Sequence, residues 1–292
     1  MESGHRNSVM RRAVTPALLL APGTLLFLAF FVAPFITLGI NSFYDYGRIS
    51  GIIEVFTVKN YQRLWLDDYY LGIIGRTFRL SGTVALMTLL VGYPVALYLL
   101  VASARAKSFV IALILSPLLI SVIVRTFGWV VILGKNGLLE NAFAAIGIPD
   151  MAFLHTEAAV VVGLVNVLAP FMVLAVVTSL QAMDPALPLA AASLGASPLR
   201  ILWKVILPLS LPGITAGLLI VFGLASASFV TPAVLGGAQF KVLSVVMYQQ
   251  AIVLQNWPFA AAIAVTLLVI VLIVQVLQAG ISERSARRAM PL

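Results

Sequence analysis

The 292-residue chain contains no cysteine, which excludes disulfides and thiolate metal sites. Histidine is almost as scarce. His5 and His155 are the two present, too few for a histidine-based metal cluster or a catalytic triad. No metal site, no cofactor and no enzymatic activity are therefore expected of the chain. A phosphate-cradling loop of the G-x-x-x-x-G-K-[ST] kind is missing as well. The pair Gly236-Gly237 runs on into Ala238 and Gln239, without the lysine and hydroxyl residue such a loop needs. Charge is the deepest shortage: charged residues make up 10% of the chain, with ten Asp and Glu against eighteen Lys and Arg, a formal net charge of +8.

What replaces charge is apolar surface. Hydrophobic residues reach 62%, a balance that makes the bilayer the natural solvent. The basic excess does not indicate a nucleic-acid partner, because the cations sit at the edges of apolar runs as membrane topology demands. Six such runs are legible, at 14–40, 80–101, 109–133, 158–180, 211–229 and 259–277. Each is close to the roughly 20 residues that a crossing helix requires. The first is too long for a signal-peptide core of about 7–15 residues and ends in LGINSFYDYG, so an uncleaved helix is expected. A shorter apolar segment at 243–254 is expected to lie in the interface rather than to cross.

An even number of crossings puts both termini on one side. With that side taken as cytoplasmic, the inner segments hold Arg6, Arg11, Arg12, Arg105, Lys107, Arg200, Lys204, Arg284, Arg287 and Arg288. The outer segments hold Arg48, Lys59, Arg63, Arg76, Arg79, Lys135 and Lys241, diluted over a long first loop and mixed with acids. Ten against seven favours cytoplasmic termini, chiefly through the short links and tails.

The inner link 181–210, ahead of the fifth run, carries the densest local signals. Asp184-Pro185 is a helix start, since aspartate accepts hydrogen bonds from free amides and proline suits the first helical position. A short helix over Leu187 to Leu194 should end at Gly195. Ser197-Pro198 opens a second one, which should run through Trp203 and Lys204 until Pro208 breaks it. This helix, glycine turn and helix is either an amphipathic hairpin lying on the membrane or a docking knob for a soluble partner.

Ala190-Ala191, then Leu194-Gly195-Ala196-Ser197, then Pro198 and Ile206-x-Pro208 resemble the "EAA" loop of permease subunits of binding-protein-dependent ABC importers. The resemblance implies an all-α membrane fold with six transmembrane helices of the type I importer kind, one permease domain over residues 1–292. It also implies that this loop forms the coupling helix seated on a cytoplasmic ATPase. The family's glutamate would fall at Leu189, so apolar contact there must replace an ionic one. Similarity to the spermidine/putrescine permease branch is carried by IVRTFGW (123–129), SFVTPAVLGG (228–237) and NWPFAAAIAV (256–265). It implies a polyamine cargo, while related permeases carry phosphonates, opines and other small organic solutes. The implied partners are two copies of an ATP-binding subunit, a second homologous permease, a solute-binding protein outside and membrane lipid, all at a bacterial inner membrane.

Energetics lead to the same place. A chain without a nucleotide site conducts passively, couples to an ion gradient, or relies on ATP hydrolysis by a partner. Ion-coupled carriers place acids or histidine inside the membrane, and the six runs contain no acid. A stand-alone carrier or channel remains the competing class. Pathway candidates follow from chemistry at depth. Arg125 is the one ionisable residue well inside a run, read either as functional or as an anchor reaching the outer headgroups. Asn166 and Pro170 are read as a helix break lining the path or, for Asn166, as an interhelical hydrogen bond. Phe229, Pro232, Gly236 and Gly237 should break the fifth helix near the outer mouth, and the resemblance, which implies that this region lies along the translocation path, makes it a gate candidate. Tyr44-Asp45-Tyr46 and Asp67-Asp68-Tyr69-Tyr70 are read as a solvated loop with interfacial aromatics, and alternatively as an ammonium or binding-protein contact.

Overall fold

A computed structural model describes residues 20–146 and 153–289 and holds, among them, six helical stretches long and apolar enough to cross a bilayer, the third being Val122–Ala145 rather than the expected 109–133. Arg6, Arg11, Arg12 and the first residues of the 14–40 run lie outside the described residues. Helix α1 is Leu20–Asn41. A hairpin of β1 (Tyr44–Gly47) and β2 (Gly51–Phe56) follows, then α2 (Lys59–Leu66) and the long α3 (Asp68–Val101). Next come α4 (Ala104–Leu119), α5 (Val122–Leu133) and α6 (Leu138–Ala145). The chain continues through α7 (Glu157–Gln181), α8 (Ala186–Ser193) and α9 (Pro198–Ala227). It ends with α10 (Val230–Leu235), α11 (Leu243–Val253) and α12 (Trp257–Ala289). The end of the bundle carrying α8 is called the loop end below, and the opposite one the hairpin end.

Proline chemistry explains several boundaries that depart from the sequence reading. Pro208 does not break the second loop helix; α9 runs on as one helix of 30 residues into the fifth span. A π-turn at Leu202–Ile206 precedes the proline, with the Leu207 N–H donating to Leu202 O. Widening that turn relieves the clash of the proline ring with the carbonyl one turn back. Pro34 in α1 is met identically, by a π-turn at Leu28–Val32 with the Ala33 N–H on Leu28 O.

The run 109–133 is not one helix. It divides into α4, which already begins at Ala104, and α5, with Ile120 and Ser121 extended between them. Pro117 offers no N–H to the Leu113 carbonyl, which instead accepts from Ser116 Oγ at 2.9 Å, and the helix ends within one turn.

The second span starts well before Leu80. Asp67 accepts the Tyr69 N–H at 2.9 Å and Asp68 occupies the first turn, so α3 begins at residue 68. Its 34 residues extend about 51 Å, more than the bilayer core, so its first turns stand clear at the hairpin end.

The core lies where α3, α7 and α9 pack together, around Leu80, Val84, Leu164, Met172, Val176 and Val221. Gly213 permits the closest approach: a Cβ there would lie 2.5 Å from Ser179 Cβ and 2.6 Å from the Ala175 carbonyl oxygen on α7. A second core at the hairpin end gathers Leu64, Tyr70, Ile73, Leu243, Phe259 and Ile263. Arg63 spans it, its guanidinium 4.7 Å from the Phe259 ring centroid and 5.4 Å from that of Tyr70. The 243–254 segment is accordingly no interfacial helix along its length: Leu243, Ser244, Val245 and Val246 of α11 are buried in the protein. The supposed loop at Tyr44–Tyr46 is a strand, with Asp45 bound to Lys59 Nζ at 2.7 Å. Tyr70 is buried rather than interfacial.

Candidate functional site

Three places collect the candidate residues. At the loop end, Asp184 Oδ1 accepts the Ala186 N–H at 2.8 Å and starts α8 as expected. The helix closes in a paired terminal turn: Gly195 N–H donates to Ala192 O and Ala196 N–H to Ala191 O. Gly195 adopts φ +79°, a left-handed conformation that glycine takes without steric cost. Ser197 Oγ then accepts the Arg200 N–H, and Pro198 opens α9. Leu189, Ala190, Ala191, Leu194, Gly195, Ala196, Ser197 and Pro198 therefore share one helix–turn–helix. Pro208 stands apart from it, half-buried further along α9.

The apolar side chains here face outward. Leu189 is 68% exposed, Leu194 89%, Leu199 65% and Trp203 61%. Leu199 and Trp203 were not among the residues singled out from sequence, although an exposed leucine and tryptophan beside a turn are the same signal that marked Leu189 and Leu194.

A cavity of about 560 Å³ opens between α3, α4, α5 and α7. Asn166 and Pro170 line it, with Val91, Gly92, Pro117 and Trp129 among the facing residues. Helix α7 passes through Pro170 unbroken, so the expected break is not made. The missing proline N–H still leaves the Asn166 carbonyl without its usual partner one turn on. The Asn166 side chain forms no interhelical hydrogen bond among the described residues; it belongs to the cavity wall. Trp129 escaped the sequence reading because nothing local separates it from an ordinary membrane-belt tryptophan.

Arg125 is not on that wall. Its Nη2 donates to Ile120 O at 3.1 Å, folding the guanidinium onto the elbow between α4 and α5, while Nε and Nη1 are covered without an acceptor. This cation at the carboxyl end of α4 opposes the exposed carbonyls of that helix end.

The third place is the hairpin end of α9. The helix stops at Ala227 and Ser228 is extended, so the predicted interruption is present. Phe229 stacks on Tyr248 at 4.4 Å between centroids, and Pro232 is buried in α10. At Gly236 a Cβ would meet the Pro232 carbonyl oxygen at 2.6 Å. At Gly237, φ is +63° and a Cβ would lie 2.6 Å from His155 Nδ1. The structure does not bring these four residues to the cavity lining.

Residues 13–287 match the family described as Binding-protein-dependent transport system inner membrane component. The chain belongs to that family. Among curated proteins, the spermidine/putrescine transport system permease protein PotB of Escherichia coli is 32% identical over 232 residues, 79% of this chain and 84% of that one. PotB of Haemophilus influenzae is 32% identical over 216 residues, 73% of this chain and 75% of that one. A chain in the crystal structure of a bacterial ABC transporter involved in the import of the acidic polysaccharide alginate is similar in fold. Its TM-score is 0.76 at 22% identity, covering 97% of this chain and 99% of that one. The permease is thus a multi-pass inner-membrane subunit of a binding-protein-dependent ABC importer with the type I fold. The family's description itself ties such inner-membrane components to a binding protein.

Proposed function

We propose that this permease forms one half of the translocation path of a polyamine importer, paired with a second homologous permease and two copies of an ATPase. Both termini and the α8 loop are cytoplasmic in this reading, and a periplasmic binding protein delivers the solute at the hairpin end. Residues 1–292 act as a single permease domain. Spermidine and putrescine are named as cargo because the PotB relatives, at 32% identity over most of the chain, carry those names. A cavity wall without an acid holds a polycation loosely, which suits passage rather than storage. Asn166 lies on the path, and the interruption from Phe229 to Gly237 acts as its gate. Arg125 holds the elbow beside the path rather than touching the cargo.

The observation that carries the energy-coupling part is the exposed apolar face of Leu189, Leu194, Leu199 and Trp203 on a rigidly capped helix–turn–helix. Apolar surface held out in this way at a polar end of a membrane protein marks a partner contact. ATP binding would draw the two coupling loops together and rock the spans between inward and outward openings. The test is Gly195→Asp in the complete transporter, reconstituted in vesicles with its binding protein. The left-handed φ strains any side chain there, and the added charge faces the docking surface. The expected result is normal membrane insertion with loss of ATPase association and of labelled spermidine uptake. A variant that copurifies with the ATPase and transports normally would overturn the assignment.

A further inference from the structure

Where α9 leaves the loop end, two side chains tie it to neighbouring helices. Ser179 Oγ of α7 donates to Leu209 O at 3.2 Å, and Tyr93 of α3 meets Ser210 Oγ at 3.1 Å. The direction of the second bond follows from counting protons. Ser210 Oγ donates its one proton to Leu207 O at 2.9 Å, so the Tyr93 hydroxyl is the donor to Ser210. Ser210 is fully buried, and such a contact is made in apolar surroundings where losing a partner is costly.

Tyr93 also occupies a telling position on its own helix. Val91, Gly92 and Val95, on either side of it, line the cavity between α3, α4, α5 and α7. One residue away, Gly92 packs so closely on α7 that a Cβ would lie 3.2 Å from Met172 Cγ. Met172 touches α9 as well, its sulfur 2.5 Å from where a Gly217 Cβ would stand. The three helices therefore meet around one flexible methionine, with a single hydroxyl pair joining α3 to α9 on the loop side of that contact.

We propose that Tyr93 is a positioning residue that carries movement of the helix–turn–helix to the cavity wall. The helix–turn–helix and Ser210 ride on one element, because α9 is continuous from Pro198. Displacement of the loop moves Ser210, Ser210 draws Tyr93 through their hydrogen bond, and Tyr93 shifts the stretch of α3 that lines the cavity. The π-turn at Leu202–Ile206 lies between loop and latch and keeps its backbone hydrogen bond from the Leu207 N–H to Leu202 O, so the helix stays continuous through it. This inference rests on the helix–turn–helix of the 181–210 link being the ATPase-coupling element.

Tyr93→Phe tests it, since phenylalanine keeps the ring and its packing and removes only the donor. In the reconstituted transporter with binding protein and ATPase, solute uptake and ATP hydrolysis are measured together. Uptake per ATP hydrolysed should fall roughly fivefold, the size of one ordinary hydrogen bond, while ATPase association and hydrolysis persist. Ser210→Ala should fall similarly, and the double variant no further than either single one, because both break the same link. An unchanged ratio in Tyr93→Phe, or independent losses that multiply in the double variant, overturns the latch. Failure of the coupling-loop reading appears separately, as Gly195→Asp that still binds the ATPase and transports.

Discussion

Gly213→Ala tests whether the contact of α7 with α9 is as close as the backbone makes it. The added methyl would stand 2.5 Å from Ser179 Cβ, 2.6 Å from the Ala175 carbonyl oxygen and 3.0 Å from Val176 Cα. Carbon atoms rest about 3.5–4.0 Å apart, so the helices must separate by roughly 1 Å. Two of the three obstructing atoms are backbone and cannot rotate aside. Alanine gains about 1 kcal/mol over glycine in helix propensity. Overpacking of this kind costs about 1–3 kcal/mol, and backbone obstruction places it at the upper end. A net loss of about 2 kcal/mol follows, which for a chain of this size lowers the melting temperature by about 4–8 °C. Separation also stretches the Ser179 bond to Leu209 O, already 3.2 Å long. Gly82→Ala is the control, because a Cβ at Gly82 meets nothing within 4 Å and only the propensity gain remains. Thermal unfolding of both variants in the same detergent is the assay. A Gly213→Ala chain as stable as Gly82→Ala would refute the packing argument.

Gly237→Ala should destabilise the hairpin end by about 1–2 kcal/mol from its left-handed backbone alone, with more from the His155 ring, read as a lower melting temperature. Removing the ring by His155→Ala in the same chain should recover only the steric part. Asp45 has its carboxyl held below the ordinary value, first by the hydrogen bond from Lys59 and next by that from the Tyr46 N–H. A lowered carboxylate contributes stability above its unfolded value of about 3.9 and loses it as pH falls through the lowered one. Thermal stability of Asp45→Asn and the parent, followed from neutral to acid pH, should therefore converge at the acid end. A gap that persisted there would contradict the Lys59 pairing.

Much of the architecture was legible because hydropathy and capping are local. The span at 158–180 differs from the observed Glu157–Gln181 by one residue at each end, since an apolar run flanked by Thr156 and Glu157 leaves little choice. The loop at 181–210 was legible for the same reason: Asp184, Gly195 and Ser197 each act on amides or carbonyls within a few residues. Proline misled in both directions. Pro208 read as a breaker, yet a π-turn absorbs it; Pro170 suggested a break, yet α7 holds its course through tertiary packing. Pro117 was the overlooked signal, sitting just ahead of the elbow that divides the third run.

By itself, the sequence determined the solvent of this protein, the number of its crossings and the caps of its loop helices. These are properties of single segments, set by transfer free energies and by hydrogen bonds spanning a few residues. Only the tertiary structure decided what covers the first turns of α3, where Tyr70 and Ile73 pack with Leu243 and Phe259. It alone placed Trp129 with Asn166 on a cavity wall and Tyr93 within hydrogen-bonding reach of Ser210. Such pairings depend on which faces of distant helices meet. In a chain whose helices are apolar all round, no periodicity announces that choice; it rests with glycine contacts and a few buried hydroxyls.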